Sequence, residues 1–372
     1  MPLFFWNYLY NMDNNLKDIV TRFAPESEIT EIKPLGSGHI HSTYLVSTVK
    51  KPYIVLQQLN TRVFRDPVAV MNNIRIVTLH IRNKLELSGI QDVQERVLTA
   101  LSLPDGNLIY TDSEKKVWRC FYFINGKTFD RATSSDMVYE GGKAYGNFLR
   151  QLSDLSPKPI RETIRSFHNM MLRLRQFDDA RKNGMEERIR ESETEIQLLN
   201  SRREEMMTIM NLAAECRIPL RIVHHDTKIN NVLFDSNSKG LCVIDLDTVM
   251  PGLVHDDFGD SIRTFTNTGD EDDSDTERVS MNIDYFRAYA EGYLEATRDI
   301  LTDLEKQYLS LSARAMTYMQ CLRFMTDHLN GDIYYHINHE GHNLQRTRAQ
   351  VKLLLSMEEQ YEKMQDIIKK ID

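Results

Sequence analysis

Apolar and polar positions alternate through the first third of the chain and recur at helical spacing through most of the rest. Residues 29–35, 42–48 and 53–58 read as extended segments. Gly36-Ser37-Gly38-His39-Ile40-His41 separates the first two, and Lys50-Lys51-Pro52 the second pair. A short amphipathic helix is expected over 16–23. A longer one is expected over 67–87, where Val70, Ile74, Val77 and Ile81 share a face. Pro104-Asp105-Gly106-Asn107 predicts a hairpin turn between 96–103 and 108–111. A last strand, 117–124, runs out at Asn125-Gly126. The first 125 residues therefore read as a small antiparallel sheet with one or two helices.

After Gly126 the period changes. Helices are expected over 134–155, 160–177 and 186–215, then over 257–267, 278–297, 303–329 and 345–370. On 186–215, Ile189, Ile196, Leu199, Met206 and Met210 form one face, which reads as packing against the helix's own domain. The expected class is α+β, with a β-rich lobe over 1–125 and a mainly helical lobe over 126–372. Residues 224–247 interrupt the helical part with dense polar chemistry between short apolar runs: H-H-D-T-K-I-N-N-V-L-F-D-S-N-S-K-G-L-C-V-I-D-L-D.

Composition narrows the partners. The 372 residues carry a formal net charge of -8, which argues against a general nucleic-acid binder and gives no reason to expect an anionic membrane. The four cysteines are scattered and form no C-x-x-C, as expected of reduced thiols in a cytoplasmic protein. The apolar start, residues 1–10, lacks the basic flank and cleavage site of a signal peptide and is too short to span a bilayer. The run Asp270-Glu271-Asp272-Asp273-Ser274-Asp275 lacks the glycine and terminal glutamate of a calcium loop, and reads as a solvated loop capping the next helix.

Within 224–247 the spacing H-x-D-x-K-x-x-N, two short strands and then I-D points to phosphoryl transfer. That reaction needs a carboxylate to accept the acceptor's proton, oxygen ligands for metal, and positive charge near the transferring group. Asp226 fits the base and Lys228 the charge. Asn231 and Asp245 supply oxygen ligands suited to Mg²⁺. A hairpin of 232–234 with 241–244 would bring Asp245 back beside Asn231. Gly36, Ser37 and Gly38 form a phosphate-cradling loop candidate, weakened because His41 stands where a third glycine would be.

These motifs resemble the aminoglycoside phosphotransferase and choline kinase superfamily. Residues 224–232, 242–252 (C-V-I-D-L-D-T-V-M-P-G) and 257–263 (D-F-G-D-S-I-R) resemble the N-acetylhexosamine 1-kinases most. Looser similarity runs through 63–67, Trp118-Arg119, Phe167-His168-Asn169 and 323–327. The resemblance implies a protein-kinase-like bilobal fold, ATP and Mg²⁺ as cofactors, and phosphorylation of the anomeric hydroxyl of an N-acetylhexosamine. It makes Asp226 the base, places Lys228 near the γ-phosphate, and gives Asn231 and Asp245 to Mg²⁺. Phe123, Ile124 and Asn125 become the hinge that meets adenine. His224 and Asp257 would hold the catalytic loop. Asp247 is left between a second metal or hydrogen-bonding group and a buried salt bridge with Arg263. Arg323 and Tyr334 are candidates for the sugar, with pairing of Arg323 to Asp327 and packing of Tyr334 as the plainer readings. Small-molecule sugar and nucleotide are the expected partners of a monomer or weak homodimer.

One departure stands out. Kinases of this kind carry a lysine on the third strand that meets the α/β-phosphates. Here that region holds Gln57 and Gln58, and the nearest basic residues, Lys50 and Lys51, belong to the preceding turn. Arg62 and Arg65 are candidates to replace the lysine, with surface arginines as the plainer reading. A kinase of another small alcohol, such as choline, homoserine or an aminoglycoside, is the alternative acceptor reading. A His-Asp metal hydrolase and a catalytically silent binding module are the other classes. The residues after His225-Asp226 disfavour the first, and only the absent lysine supports the second.

Overall fold

The computed structural model describes residues 15–36 and 40–371. The chain divides into two compact units. The first comprises residues 1–126 together with 158–164 and 244–249, and the second comprises 127–157, 165–243 and 250–372. The apolar start at residues 1–11, Ser37 and Gly38 lie outside the described residues.

In the first unit, helix α1 (15–23) precedes strands β1 (Ile29–Pro34), β2 (Ser42–Thr48) and β3 (Ile54–Leu59). Helices α2 (Pro67–Leu87) and α3 (Val93–Arg96) follow, then β4 (Tyr110–Thr111) and β5 (Val117–Tyr122). The strands form one antiparallel sheet in the order β1-β2-β3-β5-β4. Strand alternation assigns its two faces. Val46, Ile54, Leu56, Trp118 and Cys120 pack with Leu16, Ile19, Val20 and Phe23 of α1. Gln57 and Arg119, paired in register, point the other way, where Met71 of α2 touches the Arg119 guanidinium.

Helix α2 starts where Asp66 accepts from Ala69 N and Pro67 takes the first turn, whose amide needs no partner. Its Asn73, 1% exposed, ties two distant segments into this unit. The Asn73 amide donates to Arg161 O at 2.7 Å and Val249 O at 3.1 Å, and its carbonyl accepts from Arg161 N at 3.0 Å.

The hairpin expected at 96–111 is rearranged. The tight turn forms, with Leu103 N on Asn107 O, but the flanks do not pair with each other. Leu101 N donates to Cys120 O and Tyr122 N to Thr99 O, so 99–101 runs beside the end of β5 while β4 takes its beginning. An edge strand with a free side wins over the local hairpin because β5 is already anchored in the sheet.

The second unit is mainly helical. It contains α4 (Ser135–Leu152), α5 (Met170–Asn183), α6 (Glu186–Glu191), α7 (Glu193–Met206) and α8 (Thr208–Ala214). Short strands follow: β6 (Arg221–Val223), β7 (Val232–Phe234), β8 (Gly240–Val243) and β9 (Met250–Gly252). Then come α9 (Val254–Phe265), α10 (Ile283–Thr297), α11 (Asp303–Gln307), α12 (Leu309–Leu329), α13 (His342–Glu359) and α14 (Tyr361–Ile371). The helix α12 is buried almost all round and centres a core built with α5, α7, α8 and α13. β6 pairs with β9 and β7 with β8, both antiparallel.

Several helix expectations change: 303–329 breaks at Tyr308, and 345–370 starts earlier, at His342, and breaks at Gln360. The first part of 160–177 is not helical: Asn169 caps α5, and 158–164 belongs to the first unit. The apolar face of 186–215 is real, but the helix breaks at Ser192 and Met207. Asn282 caps α10, so the acidic run does not cap that helix, and the run is not merely solvated. Asp273 is buried and accepts from Asp275 N and Arg278, while Asp272 meets His342 and Glu271 meets Arg263. Among the described residues no helix is long and apolar enough to cross a membrane.

Candidate active site

In the second unit the loop after β6 carries the densest polar network. Asp226 is engaged at both oxygens: Lys228 Nζ lies 2.8 Å from Oδ1 and Asn231 Nδ2 lies 3.1 Å from Oδ2. Asn231 also donates to the Asp226 carbonyl at 2.9 Å, closing the loop on itself. That double donation leaves the amide oxygen of Asn231 as the atom it could offer a metal. Burial works to raise the Asp226 carboxyl. The Lys228 charge, its hydrogen bond, and lesser effects of His224 and Asn231 outweigh burial and leave it below the usual carboxylate range. The Asp226 charge in turn holds Lys228 above the ordinary lysine range.

Helix α9 braces this loop from beneath. The two carboxylate oxygens of Asp257 accept from His224 N at 2.8 Å and His225 N at 2.7 Å. Thr227 donates through Oγ1 to Asp257 O and through N to Asp260. Tyr145 of α4 donates to Lys228 O at 2.7 Å. His224 is fully buried, edge-on to Tyr145 and Phe148, and accepts from Asp226 N, as suits a residue that holds the loop. His225 takes φ 67°, a left-handed pose costly for a side chain with a Cβ. Its ring lies against Gly252, where any Cβ would collide with it, so the glycine of the M-P-G sequence is there for close approach. Burial lowers the His225 ring to about 4, and raises the Asp257 carboxyl to about 7. Arg263 pairs with Asp260 and Glu271.

Asp245 and Asp247 belong to the first unit, where 244–249 continues the chain from β8. Asp245 is exposed and also left-handed, φ 58°. Asp247 is not the partner of Arg263. Its carboxylate receives Arg119 Nη1 at 2.5 Å and Nη2 at 3.0 Å, and His41 Nε2 at 2.7 Å. With both oxygens engaged and 3% side-chain exposure, Asp247 is held within this cluster. Burial opposes its ionisation, but Arg119 and His41 more than compensate and hold it below the usual carboxylate range.

The remaining nucleotide candidates also lie in the first unit. Gly36 takes φ 75°, the kind of backbone a phosphate loop uses. The Phe123 amide donates to Tyr53 O at 2.8 Å and is therefore not offered to a base. Ile124 is buried, and its carbonyl accepts from Gly126 N. Arg62 and Arg65 are both exposed.

Arg323 and Tyr334 share one cavity of about 370 Å³ in the second unit, together with Arg173, Asp179 and Asp327. Arg323 does not pair with Asp327. It donates to Gln320 and lies over the Phe167 ring, 5.5 Å from its centroid. Asp327 instead accepts from the backbone N–H groups of Ile333, Tyr334 and Tyr335, so it builds the loop that carries Tyr334. Tyr334 is 72% exposed, with its ring edge-on to Tyr335. Phe167 stacks on His168, and His168 contacts His225, so aromatic contacts run from Arg323 to the residue before Asp226.

Residues 31–300 match the profile of APH, the phosphotransferase enzyme family. The chain belongs to that family. Among similar solved structures is a microcompartment-associated aminopropanol kinase, 15% identical, with 94% of this chain and 98% of that one covered at a TM-score of 0.62. Another is an amicoumacin kinase in complex with AMP-PNP, Ca²⁺ and Ami, at 11% identity, 90% and 92% coverage and a TM-score of 0.57. A Plasmodium vivax ethanolamine kinase matches at 12% identity, 86% and 82% coverage and a TM-score of 0.54. The fold is the expected one, a small antiparallel β unit and a larger helical unit like that of protein kinases.

Three residues in these networks were not among the sequence candidates for a site: His41, Arg119 and Arg173. His41 was visible only as an interruption of the glycine pattern, and Arg119 only as part of a loosely similar Trp-Arg pair. Arg173, on α5, was not singled out in the sequence. Its guanidinium donates to Phe167 O, which turns it into the cavity.

Proposed function

We propose that this phosphotransferase moves the γ-phosphoryl group of ATP to the anomeric hydroxyl of an N-acetylhexosamine, GlcNAc or GalNAc, giving the sugar 1-phosphate. The observation that carries the reaction type is Asp226 held between Lys228 and Asn231. The base is ionised, it has an ammonium beside it, and an amide oxygen is oriented within the same loop. In the step, the anomeric oxygen forms a bond to the γ-phosphorus while the bond to the β–γ bridging oxygen breaks. The hydroxyl proton passes to Asp226 and ADP leaves. Asp226 must exchange its Lys228 contact for the acceptor hydroxyl, which frees the ammonium for the transferring group.

The donors fit a hard cation. Asn231 and Asp245 offer oxygen only, the chemistry Mg²⁺ takes, and they would hold the ion that neutralises the phosphates when nucleotide is bound. Gly36, Ser37 and Gly38 remain the candidates for the phosphate chain. Of the hinge candidates Phe123 and Ile124, the Phe123 amide is excluded by its bond to Tyr53.

The acceptor assignment rests on the resemblance of 242–252 and 257–263 to N-acetylhexosamine 1-kinases, supported by the cavity of Arg323 and Tyr334. A second reading, an amino-alcohol acceptor, draws on the ethanolamine and aminopropanol kinases among the similar folds. The cavity speaks against it. Arg173 and Arg323 both line it, Asp327 accepts from backbone, and Asp179 is the other acidic residue of its described lining. A neutral acceptor rich in oxygen suits that balance better. The test is ADP release across GlcNAc, GalNAc, ethanolamine, choline, homoserine and aminoglycosides, with phosphorus NMR to locate the new ester. Turnover of the amino alcohols without any N-acetylhexosamine turnover would reverse the choice.

A further inference from the structure

We infer that His41, Arg119 and Asp247 form a buried positioning device that holds Asp245 in its metal-binding pose, and that this device is why the third strand carries no lysine. The inference rests on the proposed role of Asp245 as a metal ligand. All of its parts lie in the first unit.

Arg119 uses its whole guanidinium. Nε donates to Gln57 Oε1 at 2.9 Å, and Nη1 and Nη2 grip Asp247. Its side chain is 2% exposed, so it has no face to offer a nucleotide. The tautomer of His41 follows from its neighbours. Its Nδ1 accepts from Asn60 N at 3.1 Å, so Nε2 carries the proton that goes to Asp247. Gln57 is held in turn by its own donation to Thr43 Oγ1. The cluster therefore joins the exit of the glycine loop, β3, β5 and the 244–249 segment.

Asp245 needs such support. A left-handed pose in a residue with a Cβ persists only when the surroundings over-determine it. The segment is pinned on its far side by Asn73 at Val249 O and in its middle by Asp247. Ligand atoms of Asp245, Asp247 and His41 all lie within 4.8 Å of one another, so a shift of Asp247 is felt at Asp245. The same geometry explains both departures from the kinase pattern. His41 replaces a glycine because its ring bridges Asn60 and Asp247. A lysine at position 57 would set a second cation against the Arg119 Nε in a buried site with one carboxylate, where an unpaired charge is costly. Gln57 supplies an acceptor instead.

The experiment measures Mn²⁺ affinity in the presence of ADP by electron paramagnetic resonance, the Mg²⁺ concentration for half-maximal turnover, acceptor KM and thermal midpoint. Asp245→Asn is the reference. R119M is expected to weaken Mn²⁺ on the order of 10–100-fold and raise the Mg²⁺ requirement alike, with acceptor KM little changed. Because R119M leaves Asp247 buried and unpaired, R119M/D247L is measured beside it. The double variant should recover the thermal midpoint, as buried pairs replaced by apolar residues do, yet keep the metal defect. H41A should show a smaller defect, and H41Q, which keeps a donor to Asp247, should restore part of it. If R119M/D247L folds and binds Mn²⁺ as the parent does, the positioning role is overturned. If Asp245→Asn itself leaves Mn²⁺ affinity intact, the assignment of Asp245 falls, and this inference with it.

Discussion

Asp226 has lost nothing of its charge to burial, because Lys228 and Asn231 hold its two oxygens. Asp226→Asn should therefore lower kcat by about 10²–10⁴-fold while MgADP affinity by calorimetry stays within a factor of about two. Equal activity in the variant would remove Asp226 as the base. His225, one residue earlier, sets a pH dependence of stability. It titrates at about 4 in the folded protein against 6.5 as its ordinary value. The unfolded chain takes up the proton first, so the contribution is whole above pH 6.5 and drains away as pH falls toward 4. His225→Asn removes that drain. Relative to their values at pH 7, the parent should lose on the order of 2 kcal/mol more than the variant at pH 4.5, read from denaturant unfolding. Asp257, raised to about 7, works in the opposite sense, favouring low pH, and cancels in this comparison because both proteins carry it. Asp226, Lys228 and Asn231 were readable from sequence because a loop of six residues must fold within itself. Arg119 was not, because its partner lies 128 positions away.

At the scale of elements, two contacts decide how the site segments are held. Gly252 of β9 lies under the His225 ring, and Gly252→Ala should cost about 1–3 kcal/mol, since neither the strand nor the buried ring can yield cheaply. Asn73 of α2 holds 158–164 and 244–249 by three hydrogen bonds to backbone. Asn73→Ala should destabilise by roughly 2–3 kcal/mol in thermal unfolding, because buried backbone groups lose their partners. An effect below about 0.5 kcal/mol would show that α2 does not hold those segments. The elements themselves show what periodicity reports. The apolar face of α2 and its Asp66-Pro67 start are local, and the helix forms over the expected residues. On 186–215 the face was right but the continuity was not: α6, α7 and α8 turn at Ser192 and Met207 while keeping Ile196, Leu199, Met206 and Ile209 on the shared core. Periodicity states which side is buried, not whether the axis bends. At 96–111 the turn chemistry was right, but β5 offered 99–101 a better partner than 108–111 did.

For the whole molecule, nucleotide and metal should act as one ligand. Saturating MgADP should raise stability by about 2.7 kcal/mol at a hundredfold excess over its Kd, and EDTA should abolish most of that gain in a thermal melt. A gain unchanged by EDTA would mean that Asn231 and Asp245 do not hold metal for the nucleotide. The change from strand to helical periodicity near Gly126 was enough to set the class, and the acidic net charge argued against a general nucleic-acid binder. The contacts within 226–231 were also legible in the sequence, because a carboxylate, an ammonium and an amide at that spacing have few arrangements open to them. Tertiary structure decided three further matters. It gave Asp247 to Arg119 and His41 rather than to Arg263, put Arg173 into the cavity beside Arg323, and drew 158–164 and 244–249 into the first unit through Asn73. Each of these depends on burial bringing together groups far apart in the chain. A buried charge or amide must find a partner, but only the packed fold determines which one is within reach.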